Sequence, residues 1–136
     1  MKPFPKRMSA LRACDLSIEH WQRVHDDAKA LYNDREWPGD DTCALCEYDR
    51  RERDRRQREG FCESCPVSRY EMANRRLRHR LCGRLFGEAD EAWSRYMGGS
   101  GRESIWQKYA KVVIARLKKV RAWVAKGGMK KSADTE

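Results

Sequence analysis

The chain has 136 residues, 38% of them charged, and a formal net charge of +9 at pH 7. This length allows one small domain with a modest core, for which five tryptophans, five tyrosines and three phenylalanines supply large apolar side chains. No apolar run reaches the length of a membrane span, and the basic segment over residues 1–16 lacks the apolar core of a signal peptide. We therefore expect no membrane association and a cytoplasmic location, where paired cysteines are more often metal ligands than disulfides.

Predicted helices cover much of the sequence up to residue 97. Ser68 and Glu71 in "SRYE" form a predicted capping box for a helix that runs to Gly83, and a further helix is predicted over residues 88–97. Earlier in the chain than these two helices, Ser17 is the predicted N-cap of a helix that ends before "WPGDD", residues 37–41. The apolar side of that first helix carries Trp21, Val24, Ala28, Leu31 and Tyr32.

The last part of the sequence predicts a linker and a long helix. "GGSG" at residues 98–101 is typical of a flexible linker, and Ser100 with Glu103 forms a second predicted capping box. A basic amphipathic helix is predicted over residues 102–128, followed by a disordered tail over 129–136. Its apolar stripe is too large to face water, so it either packs on the first helix as core or binds a partner. The stripe consists of Trp106, Tyr109, Val113, Leu117, Val120 and Trp123.

Two Cys-x-x-Cys pairs carry the strongest chemical signal. Fifteen residues separate Cys43 and Cys46 from Cys62 and Cys65. This spacing is typical of structural zinc sites, because each short turn aims two thiolates at one ion. Four thiolates stabilise a fold and leave no position open for a substrate. An iron–sulfur cluster, a redox-active dithiol and disulfides are the alternatives.

The two other cysteines have different interpretations. Cys82 follows the second pair closely enough to be a possible substitute ligand. Cys14 is interpreted as a small buried apolar residue, since free cysteine is among the most buried residue types.

The segment between the pairs mixes arginines with acids. Each of four acids precedes an arginine by four positions, the favourable orientation for ion pairs on a helix. A solvated helical face is therefore favoured over a nucleic-acid-binding arm. Because Cys46 and Cys62 must return to one metal, we expect a helix of about two turns and an extended return through Gly60 and Phe61. The expected pairs are Glu47 with Arg51, Asp49 with Arg53, Glu52 with Arg56 and Asp54 with Arg58.

Basic residues beyond the second pair are better candidates for binding a polyanion. Most of them lie in a segment whose single acid is Glu71, so few local carboxylates neutralise them. Arginine forks suit phosphates and carboxylates alike, which predicts nucleic acid or an acidic protein surface as the partner. A merely solvated helix face is the alternative. The candidates are Arg69, Arg75, Arg76, Arg78, Arg80, Arg84, Lys111, Lys118 and Lys119.

Sequence motifs of catalysis are lacking. The chain has no P-loop, dinucleotide fingerprint, nucleophile elbow or HExxH motif, and "HDD" at residues 25–27 places consecutive side chains on different faces of a helix. We therefore expect a protein that is not an enzyme.

The order of motifs resembles a loose group of small proteins encoded by tailed bacteriophages. The resemblance covers roughly residues 17–97 and consists of a tryptophan in "SIEHW", then "CALC", "CESCPV", a lone Cys82 and an aromatic segment with Trp93 and Tyr96. It implies a zinc-binding phage accessory protein in the bacterial cytoplasm, acting on host transcription or defence. The arginine-rich insert, the segment "MANRRLRHRL" and the last helix depart from that pattern.

Together these observations predict a mainly α protein: a helical domain over residues 17–97 stapled by a four-cysteine zinc site, with an appended C-terminal amphipathic helix. The expected function is binding of nucleic acid or of a host complex that processes nucleic acid. One alternative is inhibition of a host defence system, of the anti-CRISPR or anti-restriction type, through protein–protein contact. The other is a structural protein that self-associates into a homo-oligomer through its acidic and basic blocks.

Overall fold

The computed structural model describes residues 4–29, 43–56 and 62–129. The protein is mainly helical, as predicted, and no strand occurs within these ranges. A kinked segment, Leu81–Leu85, in which Cys82 and Gly83 have non-helical backbone angles, leads from the segment after the third helix into the fourth. No described helix is both long enough and apolar enough to cross a bilayer. Within the described residues the α-helices are α1 (Ala10–Asp26), α2 (Ala44–Arg56), α3 (Pro66–Ala73), α4 (Phe86–Met97) and α5 (Glu103–Ala125).

Helix α1 begins well before Ser17, so the prediction of Ser17 as its N-cap is wrong. Ser9 is the cap, and its hydroxyl accepts a hydrogen bond from the Arg12 N–H at 3.1 Å. The buried side of the helix already starts at Ala13 and Cys14, and Ser17 lies on that side with 3% of its surface exposed. Burial of these small residues fixes the start of the helix. Leu31, Tyr32 and residues 37–41 lie outside the described residues.

Helix α5 is part of the core. It packs most extensively against α1 and also contacts α4 and α3. Trp21 of α1 stacks on Phe86 at 5.6 Å between ring centroids and lies 6.2 Å from the ring of Trp106, which is 1% exposed. The helix was expected either to pack on the first helix as core or to bind a partner, and the structure places it in the core. Its buried residues are Trp106, Ala110, Val113, Ile114, Leu117 and Val120, while Tyr109 and Trp123 are half-buried.

The "GGSG" segment is a compact hydrogen-bonded turn, although its sequence is typical of a flexible linker. The N–H groups of Ser100 and Gly101 both donate to the carbonyl of Arg95 at 3.0 Å, which closes the turn on the end of α4. A side chain at Gly101 would meet the Arg95 Cβ and the Tyr96 nitrogen at 3.1 Å. This close approach explains the glycine and joins α4 tightly to α5.

Helix α5 begins after Arg102, and no capping box between Ser100 and Glu103 forms. The Ser100 hydroxyl instead lies 3.3 Å from the Arg95 carbonyl, and the Glu103 carboxylate accepts a hydrogen bond from the Tyr96 hydroxyl at 2.8 Å. Both side chains therefore hold α5 to the end of α4.

Helix α3 is shorter than predicted and begins earlier. Cys65 is its N-cap and Pro66 its first residue, a position where the missing N–H of proline costs nothing. Ser68 lies inside the helix, so the capping box with Glu71 is wrong. The helix ends at Ala73, and residues 74–80 form no helix, although the predicted helix runs to residue 83.

Candidate metal centre

Two of the predicted ligands lie at the N-termini of helices. Cys43 immediately precedes α2, and Cys65 caps α3. The Cys43 sulfur accepts the N–H of Cys46, and the Cys65 sulfur accepts the N–H groups of Val67 and Ser68. Backbone N–H groups at a helix start, together with the helix dipole, stabilise negative charge on sulfur. Both sites are therefore built to hold a thiolate.

In the absence of a cation, the surroundings keep these two thiols neutral. The hydrogen bond that the Cys43 thiol donates to the Cys46 side chain, and then burial, raise the pKa of Cys43 well above its usual value, and burial raises the pKa of Cys65. A metal ion offsets this cost of a buried thiolate, because the deprotonated sulfur binds it directly. The donor set of soft sulfur atoms suits zinc or an iron–sulfur cluster.

The other thiols of this region lie close enough to affect one another. Burial, then the charge of Cys62 and then that of Cys46, raise the pKa of Cys82 to about 11. The charge of Cys46 also contributes to the raised pKa values of Cys62 and Cys65, although burial is the largest cause for both. Within residues 4–29, 43–56 and 62–129, however, no three side chains of His, Cys, Asp or Glu are arranged to hold a metal ion. Among the described residues, Cys43, Cys46, Cys62 and Cys65 therefore do not form a metal-binding group, and the zinc site stays a prediction.

Cys14 lies apart from this group. It is fully buried on α1, and its desolvation, followed by the charge of Asp15, raises the pKa of its thiol to about 12. Its interpretation as a buried apolar residue is confirmed.

A buried carboxylate on α2 positions the second cysteine pair. Asp49 is 4% exposed and accepts the N–H of Cys62 at 3.1 Å and that of Ser64 at 2.8 Å, while Arg53 donates to it at 2.9 Å. Cys62 has a φ of 67°, a left-handed conformation that is uncommon for a residue other than glycine. The two hydrogen bonds from the backbone of Cys62 and Ser64 hold the turn over residues 62–65 against α2 and offset that conformational cost.

A second buried carboxylate positions the segment that carries Cys82. Glu71 of α3 is 5% exposed, accepts the N–H of Leu81 at 2.8 Å and pairs with Arg116 of α5 at 3.1 Å. Arg116 also donates to the His79 carbonyl at 2.7 Å. We call this group the Glu71–Arg116 clamp. It ties residues 79–81 to both α3 and α5 and so fixes where Cys82 lies.

The acid–arginine pairs expected on α2 are present wherever the structure describes them. Glu47 pairs with Arg51 at 3.0 Å, and Glu47 and Asp54 also bind Arg50 at 2.5 and 3.1 Å. The hydrogen bonds from Arg50 and Arg51 lower the pKa of Glu47. The Asp49–Arg53 and Glu52–Arg56 pairs also form, at 2.9 and 3.4 Å, while Arg58 lies outside the described residues. This surface is therefore internally neutralised.

Helix α2 is longer than the two turns expected, because it begins at Ala44 and includes Cys46 in its first turn. The return through Gly60 and Phe61 lies outside the described residues.

The predicted polyanion-binding residues divide into three groups. Arg84 pairs with Glu88 at 3.2 Å, and Arg69 is half-buried on α3. The second group is exposed on residues 74–80, which we call the arginine loop, and its arginines form no ion pair with the described residues. The third group, on α5, is exposed but divided between two sides of the helix. The loop arginines are Arg75, Arg76, Arg78 and Arg80; the α5 lysines are Lys111, Lys118 and Lys119.

Only one of these lysines neighbours the arginine loop. Arg116 contacts the loop at His79, and Lys119 lies one turn further along the same side of α5. At 100° per residue, Lys111 and Lys118 lie about 140–160° away around the helix axis. They lie toward Arg121, which binds Asp15 on α1.

Comparison with protein-family models, curated proteins and solved structures finds no match for this chain.

The sequence does not predict the structural roles of three residues that organise the site. The sequence pattern predicts Asp49 as one partner in a solvated ion pair and Glu71 as part of a capping box, and Arg116 falls within the predicted basic amphipathic helix over residues 102–128. Each is at least partly buried and acts through backbone groups far away along the chain. The single acid in a run of arginines is the only local signal for Glu71, and no local signal marks the other two.

Proposed function

We propose that this protein is a zinc-stabilised binding protein that holds the phosphate backbone of nucleic acid on the arginine loop. The observation that carries the proposal is the contrast between two arginine-rich segments. On α2 the arginines bind neighbouring carboxylates, whereas Arg75, Arg76, Arg78 and Arg80 are exposed and form no ion pair within the described part of the chain. Their guanidinium groups are therefore available to a ligand.

Several features support a phosphate ligand. Four guanidinium groups within six residues produce a dense positive field, and arginine binds phosphate oxygens with two parallel hydrogen bonds. The Glu71–Arg116 clamp holds the loop next to Lys119, which extends the positive surface onto α5. Contacts of this kind position a backbone without reading its sequence, so we propose binding with little base specificity.

Zinc has a structural role in this proposal. Cys43, Cys46, Cys62 and Cys65 would bind the ion, and its charge would allow the buried sulfurs to deprotonate. Support comes from the Cys-x-x-Cys spacing and from the N–H groups that donate to the sulfurs of Cys43 and Cys65. The ion would tie α2 to the start of α3, from which the arginine loop follows. Metal analysis of protein purified without added zinc tests this part, with one zinc per chain expected and a metal-free folded protein contradicting it.

The nucleic-acid proposal is tested by titrating a short duplex and a single strand of mixed sequence at several salt concentrations. Replacing Arg75 and Arg78 by glutamine should weaken binding and lower the slope of log K against log salt by about one for each phosphate that is no longer bound. The matched control is Arg50→Gln with Arg55→Gln, which removes two exposed arginines of α2 that are already paired. Equal weakening in both double variants would contradict the proposal.

A protein partner is a second candidate, favoured by exposed apolar side chains next to the same surface. Met72 on α3 is 62% exposed and Val112, one turn before Arg116 on α5, is 43% exposed. An acidic protein with an apolar patch fits such a surface, as an inhibitor of a host defence complex would require. Binding to that partner would be abolished by Met72→Ser with Val112→Ser, and salt would weaken it less than it weakens binding to nucleic acid, because the apolar contact does not depend on salt.

A further inference from the structure

Helix α5 has an exposed side besides the one that it buries in the core. The residues along the middle of this side follow one another at alternating intervals of three and four positions, which is the heptad spacing along which a second helix packs. All of them are exposed, so no described element of the chain covers them. We call this set the α5 seam. It consists of Ile105, Lys108, Val112, Ala115, Lys119, Ala122 and Lys126.

The N-terminal half of the seam is more apolar than a solvated helix face requires. Ile105 is 47% exposed, and Val112, two turns further along, is also largely exposed. Ala115 and Ala122 follow at the next inward-pointing positions of the heptad, where a small side chain lets the axis of a second helix come close. This half of the seam therefore offers apolar contact and little steric obstruction.

The C-terminal half of the seam is basic. Lys119 and Lys126 lie on it, and neither forms an ion pair with another described residue. The only acid of α5 is Glu103, whose carboxylate accepts hydrogen bonds from Tyr96 and Gln107 away from the seam. A surface that binds along this half must therefore supply negative charge.

The two halves together exclude a second copy of this chain as a suitable occupant. A copy docked in parallel would place Lys119 against Lys119, and like charges at such positions repel. A copy docked antiparallel would place the lysines against Ile105 and Val112, where their charges would lose water without gaining a partner. The occupant that fits is a helix with apolar side chains along one half and carboxylates along the other.

We propose that the α5 seam docks one acidic amphipathic helix of a partner protein. The inference rests on the protein-partner candidate above, whose docking element it names, and does not depend on nucleic-acid binding. The partner helix places its apolar side chains over Ile105 and Val112 and its carboxylates beside Lys119 and Lys126. Exposed lysines then bind carboxylates at the rim of an apolar contact, which is the usual arrangement in helix-in-groove recognition.

Fluorescence anisotropy with a labelled synthetic helix and the full-length chain tests the proposal. The probe has 23 residues, the length of α5, with leucines along one half of its contact side and glutamates along the other. It is made in both chain orders, so that parallel and antiparallel docking are both sampled. A matched control probe has lysine in place of each glutamate. We expect at least one acidic probe to bind, and its lysine counterpart to bind about tenfold more weakly or worse.

Two pairs of lysine substitutions locate the charged contact. Lys119→Ala with Lys126→Ala should weaken binding of the acidic probe about three- to tenfold, since it removes both lysines of the basic half. Lys111→Ala with Lys118→Ala removes the same charge at the same spacing from another side of α5 and should match the wild type. Equal weakening by the two pairs would overturn the proposal, because it would show a general effect of net charge.

A second comparison locates the apolar contact. Ile105→Ser with Val112→Ser should weaken binding about tenfold or more, whereas Met72→Ser, which changes an exposed apolar residue outside the seam, should have no effect. Melting curves check that each variant stays folded. Binding that is lost in Met72→Ser but kept in the seam variant would overturn the seam and leave an acidic protein partner standing.

Two further outcomes would also overturn the seam. One is that neither acidic probe binds. The other is that the protein alone sediments as a dimer that Ala115→Glu dissociates, which would assign the seam to a second copy of this chain. The nucleic-acid titrations with the arginine-loop variants are independent of all these results.

Discussion

Replacing Asp49 by alanine should destabilise the protein far more than the same change at Asp54, although both acids lie on α2 and bind arginine. Asp49 has a side chain that is 5% exposed, and it accepts hydrogen bonds from the backbone of Cys62 and Ser64. Asp54 is 69% exposed and binds only the exposed Arg50 among the described residues.

The expected cost follows from what each substitution leaves without a partner. Ser64 is 4% exposed, so its N–H would lose its acceptor without gaining water, at about 1–3 kcal/mol. Cys62 is exposed and Arg53 is 19% exposed, so water partly replaces their bonds. We expect about 2–4 kcal/mol for Asp49→Ala and no more than about 0.5 kcal/mol for Asp54→Ala.

The assay is urea unfolding followed by circular dichroism, with reductant and chelator present so that no metal contributes to the free energy of unfolding. Asp49→Asn keeps an oxygen acceptor without the charge, so it should fall between the wild type and the alanine variant. A repeat with zinc should show weaker zinc binding for Asp49→Ala, because the turn over residues 62–65 is no longer held. If Asp49→Ala and Asp54→Ala lower the free energy of unfolding equally, the structural role of Asp49 is refuted.

Three further predictions concern the core. The pKa of Cys14 is raised to about 12 from an ordinary 9.0, which disfavours the thiolate in the folded state. The free energy of unfolding should therefore fall as pH rises from 9 to 12, by up to about 1.4 kcal/mol per pH unit. Cys14→Ala should reduce that slope, and an unchanged slope would contradict the assignment. Gly128→Ala should lower the melting temperature by several degrees, since the added Cβ would lie 2.2 Å from the Trp123 ring. Ala125→Gly, on the exposed side of the last turn, serves as a mild comparison. An unshifted melting curve for Gly128→Ala would contradict the contact. Truncation after Gly99 should abolish cooperative unfolding because it removes α5 from the core, whereas a truncated protein that still melts cooperatively would show that the rest folds alone.

The sequence predicts those helices whose apolar spacing and flanking glycines agree with their packing. The helix over residues 88–97 differs from α4 only at its start, and the stripe from Trp106 to Val120 is indeed one buried side of α5. Both helices bury the side that their own periodicity marks, so local pattern and tertiary packing coincide.

The three predicted serine caps are wrong for a shared physical reason. A capping motif is satisfied within four residues, but tertiary partners compete for the same side chains. Glu71 binds Leu81 and Arg116, and Glu103 binds the Tyr96 hydroxyl, so neither returns to its own helix start. Ser17 lies in the core.

The arginine loop has a sequence that predicts a helix, because arginine and leucine are good helix formers. Propensity alone does not sustain a helix without an apolar side to bury, and Leu77 is the only apolar residue over residues 74–80. The four-cysteine zinc site stays a prediction from the spacing of the cysteines. The buried carboxylates Asp49 and Glu71 cannot be predicted in this way, because a buried acceptor is defined by distant backbone N–H groups rather than by neighbours in sequence.

The pairing of α1 with α5 places the first and last described helices of the chain in one core, and this has a consequence for synthesis. About a hundred residues are translated between the end of α1 and the end of α5, which takes on the order of 5–20 s. During that interval the cysteine pairs and the arginine loop leave the ribosome before α5 packs over Trp21 and before Arg116 of α5 binds Glu71. In the proposed zinc-bound form, metal capture by the nascent chain would therefore precede completion of the core, and the ion would constrain the growing chain before α5 does.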